Sequence, residues 1–113
     1  MRLMVMVLNR VELLDELLEK LMEKGIRGAT ILSSTGMARV LSQNDDFPMF
    51  GTLRVWLDPD RQESKTILMA LKDDEVSKVK EAVHEVVGDL SQPDSAVLFT
   101  VPIMDVEGID TQT

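Results

Sequence analysis

The sequence contains no cysteine and no tyrosine, and its aromatic residues are three phenylalanines and one tryptophan. Without cysteine, the chain can form no disulfide, bind no metal through a thiolate and offer no thiol nucleophile. Long hydrophobic runs are also missing. The apolar stretch from Leu3 to Leu8 is too short for a membrane span or a cleaved signal sequence. We therefore expect a soluble, cytoplasmic protein.

Basic residues are scarce as well. The chain has 12 lysines and arginines against 20 aspartates and glutamates, which gives a net charge of −8. A surface with this charge repels a phosphate backbone, so we expect no nucleic-acid partner. A chain of 113 residues can enclose one hydrophobic core, so we expect a single domain over residues 1–113.

The first part of the chain predicts a strand, a helix and a second strand. Residues 1–8 form an apolar strand, Asn9 and Glu12 can form a capping box, and apolar residues then recur at helical spacing. Gly25 suits the left-handed residue that follows a helix, and the apolar, β-branched run at residues 29–32 predicts the second strand.

A later part of the chain repeats this order. Residues 65–71 predict a strand, Asp73 can cap a helix that Gly88 ends, and residues 96–101 predict another strand. Two β-α-β units in a chain of this length predict an α+β domain of the ferredoxin-like βαββαβ type. Such a domain has a four-stranded antiparallel sheet with two helices on one face.

Three of the predicted strands are apolar on both faces. Because two helices cover only one face of the sheet, the other face needs a further partner, and a second copy of the chain is the simplest one. The pattern therefore predicts a homo-oligomer, unless the strands are merely short and apolar throughout. In the first strand, Leu3, Val5 and Val7 point to one face and Met4, Met6 and Leu8 to the other. In the strand at residues 65–71, Leu68 and Ala70 point to one face and Ile67, Met69 and Leu71 to the other. In the last strand, Leu98 points to one face and Val97, Phe99 and Val101 to the other.

The connection between the two units, at about residues 33–63, is much longer than a hairpin turn requires. Long connections in compact domains are usually functional or disordered. We expect the stretch from residue 44 to 50 to be mobile in the free protein and to contact a protein partner. The alternative is that its aromatic side chains pack beneath the connection or against a neighbouring subunit. The residues concerned are Asn44, Asp45, Asp46, Phe47 and Phe50.

Over nearly its whole length, the chain resembles the PII-type nitrogen regulatory proteins and their PII-like relatives. The resemblance rests on the helix end Gly-Ile-Arg-Gly at residues 25–28, on the order of elements and on the long connection. In addition, Gly-Met-Ala-Arg at residues 36–39 is similar to the family's Gly-x-Gly-Arg motif, with Ala38 in place of the second glycine.

This resemblance implies a homotrimer whose sheets face inward, with an adenylyl nucleotide such as ATP or ADP in clefts between subunits. It also implies that the long connection is a T-loop, which signals to membrane transporters, enzymes or other regulators. The effector-binding residues would be Thr35, Gly36, Met37, Ala38, Arg39 and Asp94.

The chain departs from the family where phosphates would bind. The family's turn before the last strand is glycine-rich and ends in lysine, whereas residues 91–96, Ser-Gln-Pro-Asp-Ser-Ala, contain neither. Acidic residues, Asp105 and Glu107, follow the last strand where the family has arginines. With Arg39 as the nearest fixed positive charge, we expect weak ATP binding and assign no certain cofactor. Because the chain has no tyrosine, the tyrosine uridylylation known in part of the family is excluded.

Two functions remain open. The first is a PII-like signal-transduction protein that binds a small effector at subunit clefts and acts on an unidentified protein target through the long connection. The second is a small enzyme on a ferredoxin-like oligomeric scaffold that uses carboxylates in a cleft as acid and base. His84 stands alone without a serine or cysteine motif, so no catalytic residue is predicted. The carboxylates near residues 44–60 fit a solvated turn better than a cation loop, so no metal site is predicted either.

Overall fold

The elements of the fold follow one another in the predicted order. A computed structural model describes residues 1–42 and 63–109, so the proposed partner residues Asn44, Asp45, Asp46, Phe47 and Phe50 lie outside the described residues. The elements are β1 (Arg2–Leu8), a 3-10 turn (Val11–Leu13), α1 (Leu14–Glu23), β2 (Thr30–Ser34), α2 (Met37–Ser42), β3 (Ser64–Leu71), α3 (Glu75–Val86) and β4 (Ala96–Pro102).

The four strands form one antiparallel sheet in the order β2-β3-β1-β4. The central strand β1 pairs with β3 on one side and with β4 on the other, so that Met4 lies between Met69 and Thr100. This order, with two long helices packed on the sheet, confirms the predicted ferredoxin-like α+β fold.

The hydrophobic core lies between the sheet and the helices α1 and α3. Alternate residues of β1 and β3 point into it, as their period of two requires, and one apolar stripe of each helix covers them. Complete burial of side chains of this size contributes about 1.5 to 3 kcal/mol each. The side chains with no exposed surface include Met4, Met6, Leu8, Leu17, Ile67, Val79 and Val83.

The opposite face of the sheet is apolar and uncovered. Val97, Phe99 and Val101 of β4 are 57%, 49% and 40% exposed, and Leu32 of β2 is 48% exposed. The partly buried residues Leu3, Val5, Val7, Leu68 and Ala70 lie between them in the sheet. The alternation predicted from the sequence is thus confirmed, and we call these nine residues the open face.

Both helices end where the sequence predicted but begin differently. Gly25 and Gly88 have φ angles of 87° and 90°, which only glycine adopts without strain. After α1, the amides of Gly25 and Ile26 donate to the carbonyl oxygens of Met22 and Leu21 at 3.0 and 2.9 Å, which is a Schellman motif.

The predicted capping box at Asn9 and Glu12 is wrong. The amide of Asn9 donates to the carbonyl oxygen of Ser95 at 2.9 Å, which ties the end of β1 to the turn before β4. A 3-10 turn follows, and α1 begins only at Leu14. Likewise Asp74, and not Asp73, precedes α3, and the Glu75 carboxylate accepts a hydrogen bond from the Lys72 amide at 2.9 Å.

The short helix α2 was not predicted. It occupies Met37–Ser42, directly after β2, where the sequence analysis placed the start of an irregular connection. Over residues 1–42 and 63–109, no helix is long and apolar enough to cross a membrane.

Candidate functional site

The side chains of Arg39 and Asp94 form an ion pair at one end of the sheet. Nη2 of Arg39 donates to both carboxylate oxygens of Asp94, at 3.0 Å each. Both side chains are only 9% exposed. Arg39 lies on α2, just beyond the end of β2, and Asp94 lies in the turn that leads into β4. The pair therefore joins the start of the long connection to that turn.

The turn before β4 is held in shape by its own polar groups. The Ser95 hydroxyl donates to the carbonyl oxygens of Gln92 and Leu90 at 2.8 and 3.2 Å. Asp94 has a φ angle of 57°, a left-handed conformation that aspartate tolerates better than most residues. The turn thus presents the Asp94 carboxylate to Arg39 from a defined backbone.

Asp89 begins the same turn and caps it. One of its carboxylate oxygens accepts hydrogen bonds from the amide and the hydroxyl of Ser91, at 2.9 and 2.7 Å. These bonds, first that from the amide and then that from the hydroxyl, lower the pKa of Asp89 below its ordinary value, because they favour the charged form.

A cluster of hydroxyl groups lies at the same end of the sheet, where β2 and β3 pair. The hydroxyl oxygens of Ser34 and Ser64 are 2.8 Å apart, and Thr66 donates to the hydroxyl of Ser34 at 2.7 Å. Nearby, the Lys65 ammonium donates to the Ser33 hydroxyl at 3.0 Å and pairs with the Glu63 carboxylate at 3.1 Å. Sequence reasoning missed this cluster, although Ser34 and Ser64 stand at the two ends of the connection.

The remaining predicted effector-binding residues lie next to the Arg39–Asp94 ion pair. Thr35 and Gly36 form the exposed link from β2 to α2, and the Gly36 carbonyl oxygen accepts the Val40 amide at 3.1 Å. Ala38 lies within α2, and Met37 begins the helix with a side chain that is 78% exposed. The structure thus gathers all six predicted residues at one end of the sheet.

The chemistry of this site is that of a shielded ion pair. The sequence analysis treated Arg39 as the nearest positive charge for a phosphate, but its Nη2 already faces the Asp94 carboxylate. An anionic ligand must therefore displace this carboxylate or share the guanidinium with it, while a neutral polar ligand meets no such competition.

His84 is exposed on α3. Within residues 1–42 and 63–109, no three histidine, aspartate or glutamate side chains converge closely enough to hold a metal ion.

The fold defines the class of this protein as a ferredoxin-like α+β domain. No protein family matches its sequence, and no curated protein matches it. Among solved structures, 127 chains match. One is the crystal structure of a functionally unknown protein from Pediococcus pentosaceus ATCC 25745, with a TM-score of 0.61, 14% sequence identity and coverage of 96% of each chain. At this identity the likeness shows the fold alone.

Proposed function

We propose that the chain is a PII-like regulatory protein that binds a small effector beside Arg39 and Asp94 and signals to a protein target through the β2-β3 connection. The observation that supports this most is the Arg39–Asp94 ion pair, with both side chains 9% exposed. It stands at the base of the connection, among the residues that resemble the family's effector site.

The pair supports a regulatory function because it couples two segments. Arg39 belongs to α2, which leads into the connection, and Asp94 belongs to the turn before β4. A ligand that competes for either side chain changes how the two segments are held together. Such a ligand shifts the equilibrium between conformations of the connection, by as much free energy as its affinities for those conformations differ.

The open face supports assembly into the homotrimer that the resemblance implies. Val97, Phe99 and Val101 expose about half of their surface in an isolated chain, and apolar patches of this kind mark interaction surfaces. The resemblance further implies that the sheets face inward in this trimer and that the effector clefts lie between subunits.

The effector we propose is less highly charged than ATP. The described residues near the pair include two further cations, and each is already paired with a carboxylate. Lys65 is bonded to Glu63 and Ser33. Arg10, whose amide donates to the Ser95 carbonyl oxygen at 3.4 Å, pairs with Glu12. A triphosphate would have to separate Arg39 from Asp94 and would meet the uncompensated carboxylate. An adenylyl compound with fewer charges, or another small metabolite, avoids most of this repulsion.

A thermal-shift screen with nucleotides and metabolites tests this function. A ligand that binds only the folded state raises the melting temperature. We expect little shift with ATP and magnesium and a larger one with a less charged ligand. By calorimetry, Arg39→Ala should weaken the effector that is found by tenfold or more, because a charge-assisted hydrogen bond contributes about 1.5 to 3 kcal/mol.

Two further variants sharpen the test. Asp94→Asn removes the competing carboxylate, so ATP affinity should rise. Arg2→Ala is the matched control, because Arg2 is an exposed arginine that pairs with Asp73 at 3.6 Å at the other end of the sheet. If Arg39→Ala and Arg2→Ala bind the effector equally, the site does not lie at the ion pair. If no compound in the screen shifts the melting temperature, the proposal of an effector-binding regulator is contradicted.

A further inference from the structure

A second cleft lies at the other end of the sheet from the Arg39–Asp94 pair. The end of the sheet that carries the Arg39–Asp94 pair is where Ser34 is paired with Ser64 and Leu8 with Ala96. The second cleft lies at the opposite end, where Arg2 is paired with Leu71. The cleft has a volume of about 300 Å³. It lies between the turn that follows α1, the end of β3, the start of α3 and the segment that follows β4. Its walls include Gly25, Ile26, Arg27, Gly28, Leu71, Lys72, Glu75 and Ile109.

The charge of this cleft is opposite to that of the chain. Arg27, Lys72 and the α-ammonium of Met1 contribute three positive charges and Glu75 one negative charge, so the lining residues sum to +2 in a protein of net charge −8. Across the described ranges, no carboxylate lies within ion-pair distance of Arg27. The Glu75 carboxylate is already engaged by the Lys72 amide at 2.9 Å. A local positive field inside a negative protein attracts small anions.

The rest of the lining is apolar and rigidly supported. Ile26 and Leu71 are 5% and 2% exposed and belong to the hydrophobic core, while Ile109 lines the cleft from the segment after β4. The Schellman motif at Gly25 and Ile26 sets the position of the turn that carries Arg27. Apolar walls with a few convergent polar groups are the usual composition of a small-molecule site.

We propose that this cleft binds a small organic anion, with its charged group at Arg27 and its apolar body against Ile26 and Ile109. The volume is at the low end of the range of about 300 to 1,000 Å³ for ligand pockets. A small cleft with a modest positive charge suits a small anion and not a polyphosphate. This site does not depend on the effector site at Arg39, because the two lie at opposite ends of the sheet.

Titration of the ¹⁵N-labelled protein with propionate and, separately, with inorganic phosphate at constant ionic strength tests this proposal. Glycine amides report each region, with Gly28 in the cleft, Gly36 beside Arg39 and Gly88 after α3. We expect a saturable shift of the Gly28 resonance, with Gly36 and Gly88 unmoved. The probe that saturates at the lower concentration identifies the anionic group as a carboxylate or a phosphate.

The variant Arg27→Ala should weaken this binding by about fivefold or more, because it removes one charge-assisted contact. Arg27→Gln, which keeps most of the side-chain volume, should weaken it similarly. Lys78→Ala, at an exposed lysine on α3, is the matched control and should leave it unchanged. A shift of Gly28 that stays linear with both probes, an equal affinity in Arg27→Ala, or a response confined to Gly36 would each overturn the proposal.

Discussion

Replacing Arg39 by alanine would leave the Asp94 carboxylate without the guanidinium that now faces it. Both side chains are 9% exposed, and a single nitrogen holds both carboxylate oxygens at 3.0 Å. Removing one partner from a pair this well shielded costs about 3 kcal/mol, because the remaining charge is poorly solvated. Against a total stability of about 5 to 15 kcal/mol, each single variant should still fold.

The double variant isolates the interaction between Arg39 and Asp94 from the other contacts that each side chain makes. Arg39→Ala with Asp94→Ala removes both charges, so its loss should be smaller than the sum of the two single losses. We expect a coupling free energy of about 1.5 to 3 kcal/mol. Urea unfolding followed by circular dichroism, at low salt and again at 1 M sodium chloride, measures it. Because the pair is shielded, salt should reduce the coupling little.

The pair Arg10–Glu12 provides the matched control cycle. Its side chains are 46% and 52% exposed and 3.8 Å apart. Exposed pairs of this kind contribute about 0 to 1 kcal/mol and are screened by salt. A coupling at Arg39–Asp94 no larger than at this control, or one that disappears at 1 M salt, would show that the pair is solvated and that it does not fasten α2 to the turn before β4.

Three further predictions concern the helix stop, the turn and the open face. Gly25→Ala should lower the free energy of unfolding, measured in urea, by about 1 kcal/mol because the φ angle of Gly25 is 87°. Gly28→Ala should lower it much less, because Gly28 has no positive φ angle and there is open space around the added Cβ. Asp89→Asn should reduce stability at pH 6. Because the folded-state pKa of Asp89 is lowered, its contribution is present above the ordinary value of 3.8 and is lost as the pH falls through the lowered pKa, so variant and wild type should converge in acid. The proposed homotrimer predicts that the wild type has the mass of three chains by light scattering and that Phe99→Asp, at a residue 49% exposed on the open face, has the mass of one. A variant mass equal to that of the wild type would refute an interface there.

The regular elements could be predicted because their signals are local. The period of two in β1 separates Met4 and Met6, which are buried, from Val5, which is on the open face. Gly25 and Gly88 mark helix ends because the left-handed conformation favours glycine.

The features that sequence reasoning missed depend on contacts between distant residues. The amide of Asn9 is bonded to Ser95, so a capping box that was locally plausible did not form. Arg39 and Asp94 are 55 positions apart, and nothing in either stretch indicates that one will neutralise the other. The cleft at Arg27 and Lys72 has the same origin, since these residues follow different elements and meet only in the folded sheet.

The hydrogen-bonded base of the β2-β3 hairpin allows the length and sequence of the connection to vary while the sheet stays unchanged. Ser34 and Ser64 are paired across the two strands, and their hydroxyls, together with that of Thr66, are bonded to one another. The chain from residue 35 to 63 therefore leaves and re-enters the sheet at one point. Each doubling of such an insertion adds only about 0.6 kcal/mol of closure entropy. Natural variation or engineering can therefore exchange a recognition segment here by grafting, while the sheet and its core keep their own stability.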